Sequence, residues 1–279
     1  MIRFAAQADL PAIRELWEQC FPDDTGFNPY YFRHHFSLEH TLLYLVNSTV
    51  AAMVQMLPYT LQLGQDLSAA ATYIYGACTH PGYRRQHLMS QLLTESFALD
   101  RAQGRAASML IPQEDWLFDF YRPFGYQPLF SVHADCATVK PQLSSRLRPL
   151  TAQDLAACQA LYRAQTVSYD FTVVRSASQW DAQLTLFQQL GAGAFAWESN
   201  TGTLTGYAFV WQEHDGVWAQ ELVCADPTQV RPFLSALAAE KRCTAVRWSG
   251  PGSPETPLGC ILFYDKQPFS HGYMNLMFN

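Results

Sequence analysis

Between an apolar run closed by a proline and a pattern of Leu and Met at helical spacing, the chain carries Thr79-His-Pro-Gly-Tyr-Arg-Arg-Gln-His-Leu-Met-Ser-Gln-Leu-Leu93. Arg84 and Arg85 stand side by side here in a chain whose formal charge is -6. A loop of backbone amides entering a helix N-terminus is an anion site, because unpaired N–H groups and the helix dipole point at the same place. The two guanidinium groups add charge to it. A strand before the loop and a helix after it suit a pyrophosphate held at the carboxyl edge of a sheet. The competing reading is a solvated arginine pair, or one that caps a neighbouring acidic helix.

The elements that must position this loop are legible nearby. Ala70–Thr79 is an apolar strand, Leu88–Leu99 an amphipathic helix and Ala106–Ile111 another strand, and strand, loop, helix, strand is the unit of a parallel pair. The opening of the chain recurs half-way along. Ile2-Arg3, Asp9-Leu10 and Trp17 match Leu147-Arg148, Asp154-Leu155 and Tyr162 at identical spacing. Each copy predicts a short strand, an aspartate at a helix N-terminus, and apolar residues at helical period: Leu10, Ile13, Leu16 and Trp17, then Leu155, Cys158, Leu161 and Tyr162. Hairpins follow in both, Thr41–Val46 with Val50–Met56, and Ala194–Glu198 with Leu204–Trp211. A duplicated α/β chain is expected, with domains at 1–139 and 147–279 and a polar linker at 140–146. The segment matching the arginine loop, Glu221–Leu237, has Arg231 alone and Pro232 at its helix start, so the basic loop is lost from the second copy.

Composition removes several classes of function. A chain of 279 residues with 49% hydrophobic content has enough material for two folded cores. Its acidic balance argues against a broad nucleic-acid footprint, which needs a basic face. The start lacks the apolar core of a signal peptide, and runs such as Val50–Leu57 are too short for a bilayer span. A soluble, cytoplasmic protein that works without membrane or nucleic acid is expected. Seven scattered cysteines form no CxxC pair and have no histidine at ligand spacing. They are expected to be small buried hydrophobes, and no metal site is predicted.

The stretch Thr79–Met89 resembles the coenzyme A pyrophosphate loop of the GNAT N-acetyltransferases. The doubled arginine, the tandem arrangement and Phe120-Tyr-Arg-Pro-Phe-Gly-Tyr126 make the chain most similar to the enhanced intracellular survival type of acetyltransferase. The resemblance covers residues 1 to about 135 well and the remainder only as a shared fold. It implies an α/β fold with a mixed α+β sheet, as a tandem duplicated acyl-CoA N-acyltransferase, with acetyl-CoA as co-substrate. It further implies that Ala77, Cys78 and Thr79 hold the pantetheine arm and thioester carbonyl through their main chain. Arg84, Arg85, Gln86, His87, Leu88, Met89 and Ser90 would surround the pyrophosphate. His87 stands where the family has its first loop glycine, and Met89 where it has the second. Tyr121 matches the residue that protonates the departing thiolate, a step a phenol within reach of the sulfur can perform.

Attack by an amine also needs a proton acceptor, which the sequence does not name. Asp23, Asp24, His34, His35, Glu39, His80, Glu114 and Asp115 are the candidates in the first half. Longer relatives place their terminal carboxylate in the first domain's site after a third, sterol-carrier-like domain. This chain stops at Asn279, so its carboxylate would need another route. Phe21–Phe36 is expected to form a lid over the acceptor. In it Asp23, Asp24, Tyr30, Tyr31 and Phe32 suit a cationic amine. A small-molecule or peptide amine is the expected acceptor, and homo-oligomerisation is left open. Two rival functions remain: a non-catalytic acyl-CoA or metabolite-binding module with a degenerate loop, and a transferase that uses aminoacyl-tRNA, against which the absence of a basic stripe counts.

Overall fold

Alternating apolar runs become strands and the 3.6-residue patterns become helices along the whole chain, and the computed structural model describes residues 1–276. The first half runs β1 (Ile2–Phe4), α1 (Leu10–Cys20), α2 (Phe27–His34), β2 (Thr41–Val46), β3 (Thr49–Leu63), β4 (Leu67–Thr79), α3 (Leu88–Ala102), β5 (Ala107–Leu110), α4 (Trp116–Tyr121) and β6 (Gln127–Thr138). The second runs β7 (Leu147–Pro149), α5 (Leu155–Gln165), β8 (Phe171–Val174), α6 (Ala177–Gln189), β9 (Gly193–Glu198), β10 (Leu204–Glu213), β11 (Gly216–Cys224), α7 (Val230–Glu240), β12 (Ala245–Gly250), β13 (Thr256–Phe263) and β14 (Gly272–Tyr273). Two compact units interleave along the chain. One holds Met1–Leu61, Ser68–Pro128 and Gly259–Pro268; the other holds Gln62–Leu67, Leu129–Leu258 and the chain from Phe269.

In the first unit the strand order is β1-β2-β3-β4-β5-β13. β1, β2 and β3 are antiparallel neighbours, with Ile2 opposite Tyr44 and Thr41 opposite Gln55. β4 and β5 are parallel, and β13 lies antiparallel to β5 with Cys260 opposite Leu110. Alternation sends Val54, Met56 and Ile74 into a core with Leu88, Leu92, Leu93 and Phe97 of α3 and Tyr121 of α4. The intervening Gln55 bonds instead with Tyr31 of α2, which stacks on Trp17 of α1 at 5.0 Å. Tyr264, just after β13, donates to the buried Asp100 of α3 at 2.6 Å, and Thr72 donates to the other carboxylate oxygen at 2.6 Å.

In the second unit the order is β6-β12-β11-β10-β9-β7, with β14 parallel to both β6 and β8. α7 closes its core with Phe233, Leu234 and Leu237 against Val210, Val217 and Val246. A buried ion pair, Arg175 to Glu221 at 2.9 Å, is completed by Gln183 at 3.2 Å and the Tyr207 hydroxyl at 3.3 Å. Those extra bonds are what make two buried charges tolerable.

One expectation is corrected at both helix starts. Neither Asp9 nor Asp154 caps the helix that follows it. Each closes the 3-10 turn before the helix: Asp9 accepts from the Ala6 N–H at 2.7 Å and from Arg3 at 2.6 Å, Asp154 from the Thr151 N–H at 2.9 Å and from Arg148 at 2.8 Å. Arg148 and then its other partners hold the Asp154 carboxyl down at about 2. The repeated Arg and Asp of the sequence are thus one clamp used twice.

β4 contains a feature its apolar run conceals. Gly76 has φ +56, and a Cβ there would lie 2.3 Å from the Trp17 ring. Gly76→Ala is expected to lower stability by roughly 2–5 kcal/mol, combining left-handed strain with a core clash. Gly104, at φ +70 with open space around it, supplies the control: Gly104→Ala should cost only about 1–2 kcal/mol of strain. Chemical denaturation of the two variants side by side measures the difference.

Candidate active site

The ladder between β4 and β5 covers Ala71 opposite Ala107, Thr72 opposite Ser108 and Tyr73 opposite Met109, and ends there while β4 continues to Thr79. The left-handed residue Gly76 lies in this departing segment. Ala77, Cys78 and Thr79 therefore form a strand end that has left its parallel neighbour. The other side of that end is tied down, because the His80 N–H donates to the Ala51 carbonyl at 2.9 Å.

After β4 the chain makes a 3-10 turn, Pro81–Tyr83, in which His80 Nδ1 accepts the Gly82 N–H at 3.1 Å. Arg84 folds back so that its Nε donates to the Thr79 carbonyl at 3.3 Å. Arg85 and His87 both adopt left-handed backbone, at φ +62 and φ +58. His87 is the residue before α3, and the first helical bond at its start runs from the Gln91 N–H to the His87 carbonyl at 3.1 Å. The N–H groups of Leu88, Met89 and Ser90 precede that bond and have no acceptor within the helix. Arg84, Arg85, Gln86 and His87 are exposed. The loop thus presents helix N–H groups with positive charge around them, a form suited to a phosphate.

Tyr121 ends α4, and the chain then turns through Arg122–Phe124 to the left-handed Gly125. The Tyr121 ring is buried, 7% exposed, in the same core as Ile74 of β4 and Leu88 and Leu92 of α3. Burial first, and then the nearby Cys260, pushes its hydroxyl up to about 12. It therefore keeps its proton throughout the neutral range.

Residues 1–129 match the family model described as "Acetyltransferase (GNAT) domain". The matched stretch, just under half of the chain, is thus similar to a GNAT acetyltransferase domain. The whole chain has the tandem GNAT fold. Its structure is similar to a probable N-acyltransferase from Enterococcus faecalis, with TM-score 0.72 and 14% identity, over 94% of this chain and 72% of that one. It is also similar to a GCN5-related N-acetyltransferase from Anabaena variabilis, with TM-score 0.72 and 18% identity over the same shares. Eis1 from Mycobacterium abscessus matches with TM-score 0.66 and 13% identity, over 95% of this chain and 74% of that one. No curated protein matches the chain.

The second GNAT-like copy shows what the first has kept. Asp226-Pro227-Thr228 repeats the turn of His80-Pro81-Gly82, with Asp226 accepting the Thr228 N–H at 2.9 Å. α3 begins at Leu88, however, and α7 already at Val230. The shorter connection has no room for the arginine pair. Asp226 puts negative charge in the turn where the first copy has His80, and Pro232 removes an N–H from the first turn of α7.

Of the candidate bases, Asp23 is engaged by the Thr25 N–H at 2.9 Å and the Asn28 N–H at 2.8 Å. Glu114 accepts from the Trp116 indole at 2.6 Å. Burial, and then His34, drives His35 down to about 4. Asp24, His34, Glu39 and Asp115 are exposed. The segment expected to be a lid is largely helix α2, and Tyr30, Tyr31 and Phe32 are core residues; Arg14 already lies over the Phe32 ring at 4.5 Å. The terminal carboxylate of Asn279 lies outside the described residues. Among the described residues, no cluster of His, Cys, Asp or Glu is placed to hold a metal, and no helix is long and apolar enough to cross a membrane.

Three residues near the strand end escape sequence reasoning: Gln55, Tyr75 and Cys20. Gln55 carried a signal, being the lone polar residue of Val50–Leu57. Cys20 corrects the expectation of buried cysteines, since it is half-buried and its thiol lies 3.7 Å from the Thr79 carbonyl; Cys136 is exposed.

His87 and Arg85 adopt the backbone that glycine adopts without cost. His87→Gly is expected to leave stability unchanged or raise it by about 1 kcal/mol, whereas the β-branched His87→Val should lower it by about 1–2 kcal/mol. Thermal denaturation of both variants tests whether the loop conformation is set by its surroundings.

Proposed function

We propose that the protein transfers an acetyl group from acetyl-CoA directly to a primary amine of a small molecule or peptide, with Tyr121 as the general acid. The observation that carries this reading is the strand end of β4, which leaves β5 after Tyr73 and leads into the α3 N-terminus. Its main chain at Ala77–Thr79 would receive the amide-bearing arm of the co-substrate. The N–H groups of Leu88, Met89 and Ser90 would take the pyrophosphate, with Arg85 adding charge beside them.

The co-substrate supplies an activated acyl group on sulfur. The chain's own part is to hold the thioester carbonyl at the strand end, exclude water around it and return a proton to the departing thiolate. The Tyr121 hydroxyl suits that last task because a phenol carries its proton at neutral pH, and burial raises its pKa further. Its role is that of an acid across the neutral range, and not that of a base. The amine's own proton must pass to another acceptor, reached directly or through water.

A second reading, a non-catalytic acyl-CoA-binding module, has one observation in its favour. Arg84 and Cys20 already occupy the Thr79 carbonyl, so the strand end must release two partners before it can hold a ligand. Tyr121→Phe separates the two. An enzyme should lose on the order of 100-fold or more in kcat while binding acetyl-CoA as before; a binding module would bind acetyl-CoA alike with either side chain and show no turnover with either.

Calorimetric titration with acetyl-CoA at two salt concentrations tests the anion site. Arg85→Gly is the informative variant, since alanine at φ +62 would add strain to the loss of charge. Affinity is expected to fall roughly tenfold and its salt dependence to weaken. Equal affinity in the wild type and Arg85→Gly at both salts would remove Arg85 from the site.

A further inference from the structure

Two cysteines meet beside the proposed co-substrate arm. Cys20 is the last residue of α1, and Cys78 sits near the end of β4. The two thiols are near enough to act on each other's titration, and the Arg84 guanidinium lies against Cys20. Cys20 also reaches the Thr79 carbonyl at 3.7 Å, the same oxygen that Arg84 Nε contacts. Cys20 is half-buried and open to small reagents, while Cys78 is 6% exposed. The remaining cysteines differ from this pair. Burial pushes the Cys158, Cys224 and Cys260 thiols up to about 12.

We propose that Cys20 and Cys78 are a reversible dithiol that closes to a disulfide and, on closing, takes the β4 strand end and Arg84 away from acyl-CoA. The first part stands on the placement of Cys20 against the strand end that carries Cys78; the second rests on the function proposed above. Cys20 is the attacking partner. Cys78 first, and then Arg84, hold its thiol down at about 7 against the effect of burial. Cys78 is pushed well up, by burial first and then by Cys20. A half-exposed thiolate backed by a buried thiol has the division of labour of an attacking and a resolving cysteine.

The oxidant is a low-molecular-weight disulfide. The Cys20 thiolate attacks one of its sulfurs, forming a mixed disulfide and expelling one thiolate, which takes up a proton. Cys78 then loses its proton and attacks the Cys20 sulfur, forming the Cys20–Cys78 bond and expelling the second thiol. Two protein thiols are oxidised and one small disulfide is reduced to two thiols. Since a disulfide is about 2.0 Å long, closing it draws the Cys20 end of α1 and the Cys78 end of β4 together. The thiolate beside Arg84 is consumed, and Cys78 is fixed to α1.

Glutathione disulfide is the probe, used on the full chain with Cys136→Ser to remove the exposed thiol. Intact mass should fall by two hydrogens, and digestion should yield a peptide joining Cys20 to Cys78, reversed by dithiothreitol. Cys78→Ser should stop at a mixed disulfide on Cys20, and Cys20→Ser should give neither product. Titration with acetyl-CoA should show roughly tenfold weaker binding to the oxidised form. If Cys20 and Cys78 both stay alkylatable after treatment, and Cys78→Ser gains no glutathione, the dithiol is overturned. A crosslinked protein that binds acetyl-CoA as tightly as the reduced one overturns the coupling. Failure of the reduced protein to bind acetyl-CoA overturns the function reading and the coupling with it, while the mass measurement still decides the disulfide.

Discussion

The contact between Gly76 and Trp17 is the constraint on which the candidate site depends. A residue at φ +56 within a strand turns the backbone out of its ladder, and only a glycine lets an indole ring close over it. The ring stacks on Tyr31, its N–H donates to Asn28 at 2.7 Å, and Asn28 in turn donates to the Phe21 carbonyl at 2.8 Å. Through that chain of contacts α1, α2 and β4 are located by one side chain. Cys20 then falls beside Thr79, and β4 parts from β5 before the loop begins. A parallel sheet that stayed paired to the end would offer a ligand no free edge of backbone.

The two copies show that a shared fold does not preserve a shared site. Both keep the Arg–Asp clamp at their first turn, Arg3 with Asp9 and Arg148 with Asp154, because that clamp anchors strand to helix in either copy. They diverge in the connection from the strand to the helix that follows it. The first has a long loop with two arginines and free helix N–H groups. The second has Asp226, a short connection and Pro232. Their buried polar groups differ too: Arg175 with Glu221 in the second unit, Asp100 with Thr72 and Tyr264 in the first.

Much of this is legible in the sequence because it is local. The helix read from the sequence as Leu88–Leu99, which runs on to Ala102, the hairpin of β2 and β3, and the end of α4 at Tyr121 all follow from patterns spanning a few turns. The arginine loop is visible for the same reason. What escapes depends on partners distant in the chain. Gly76 reads as an ordinary interruption of an apolar run until Trp17 is placed over it. Cys20 reads as a core residue until α1 ends beside β4. Nothing near Thr256–Phe263 announces that this strand pairs with β5. The helix caps failed differently: Asp9 and Asp154 have the right type and position for a cap, but a nearby arginine competes for each carboxylate and wins with two bonds at once.

His87 shows how a loop can keep a conformation after losing the residue that makes it easy. A non-glycine residue in the left-handed region costs about 1–2 kcal/mol, yet the loop places both Arg85 and His87 there in succession. Neighbouring constraints hold the loop on either side. The His80 N–H is bound to Ala51, the Tyr83 N–H to His80, and Leu88 is buried in the core, so the chain between Tyr83 and Leu88 has fixed ends and few ways to span them. With the ends held, left-handed residues are the means of turning the N–H groups of α3 outward. Glycine lowers the cost of that geometry without being its cause, and for this reason a histidine at the family's glycine position does not by itself argue for a dead loop.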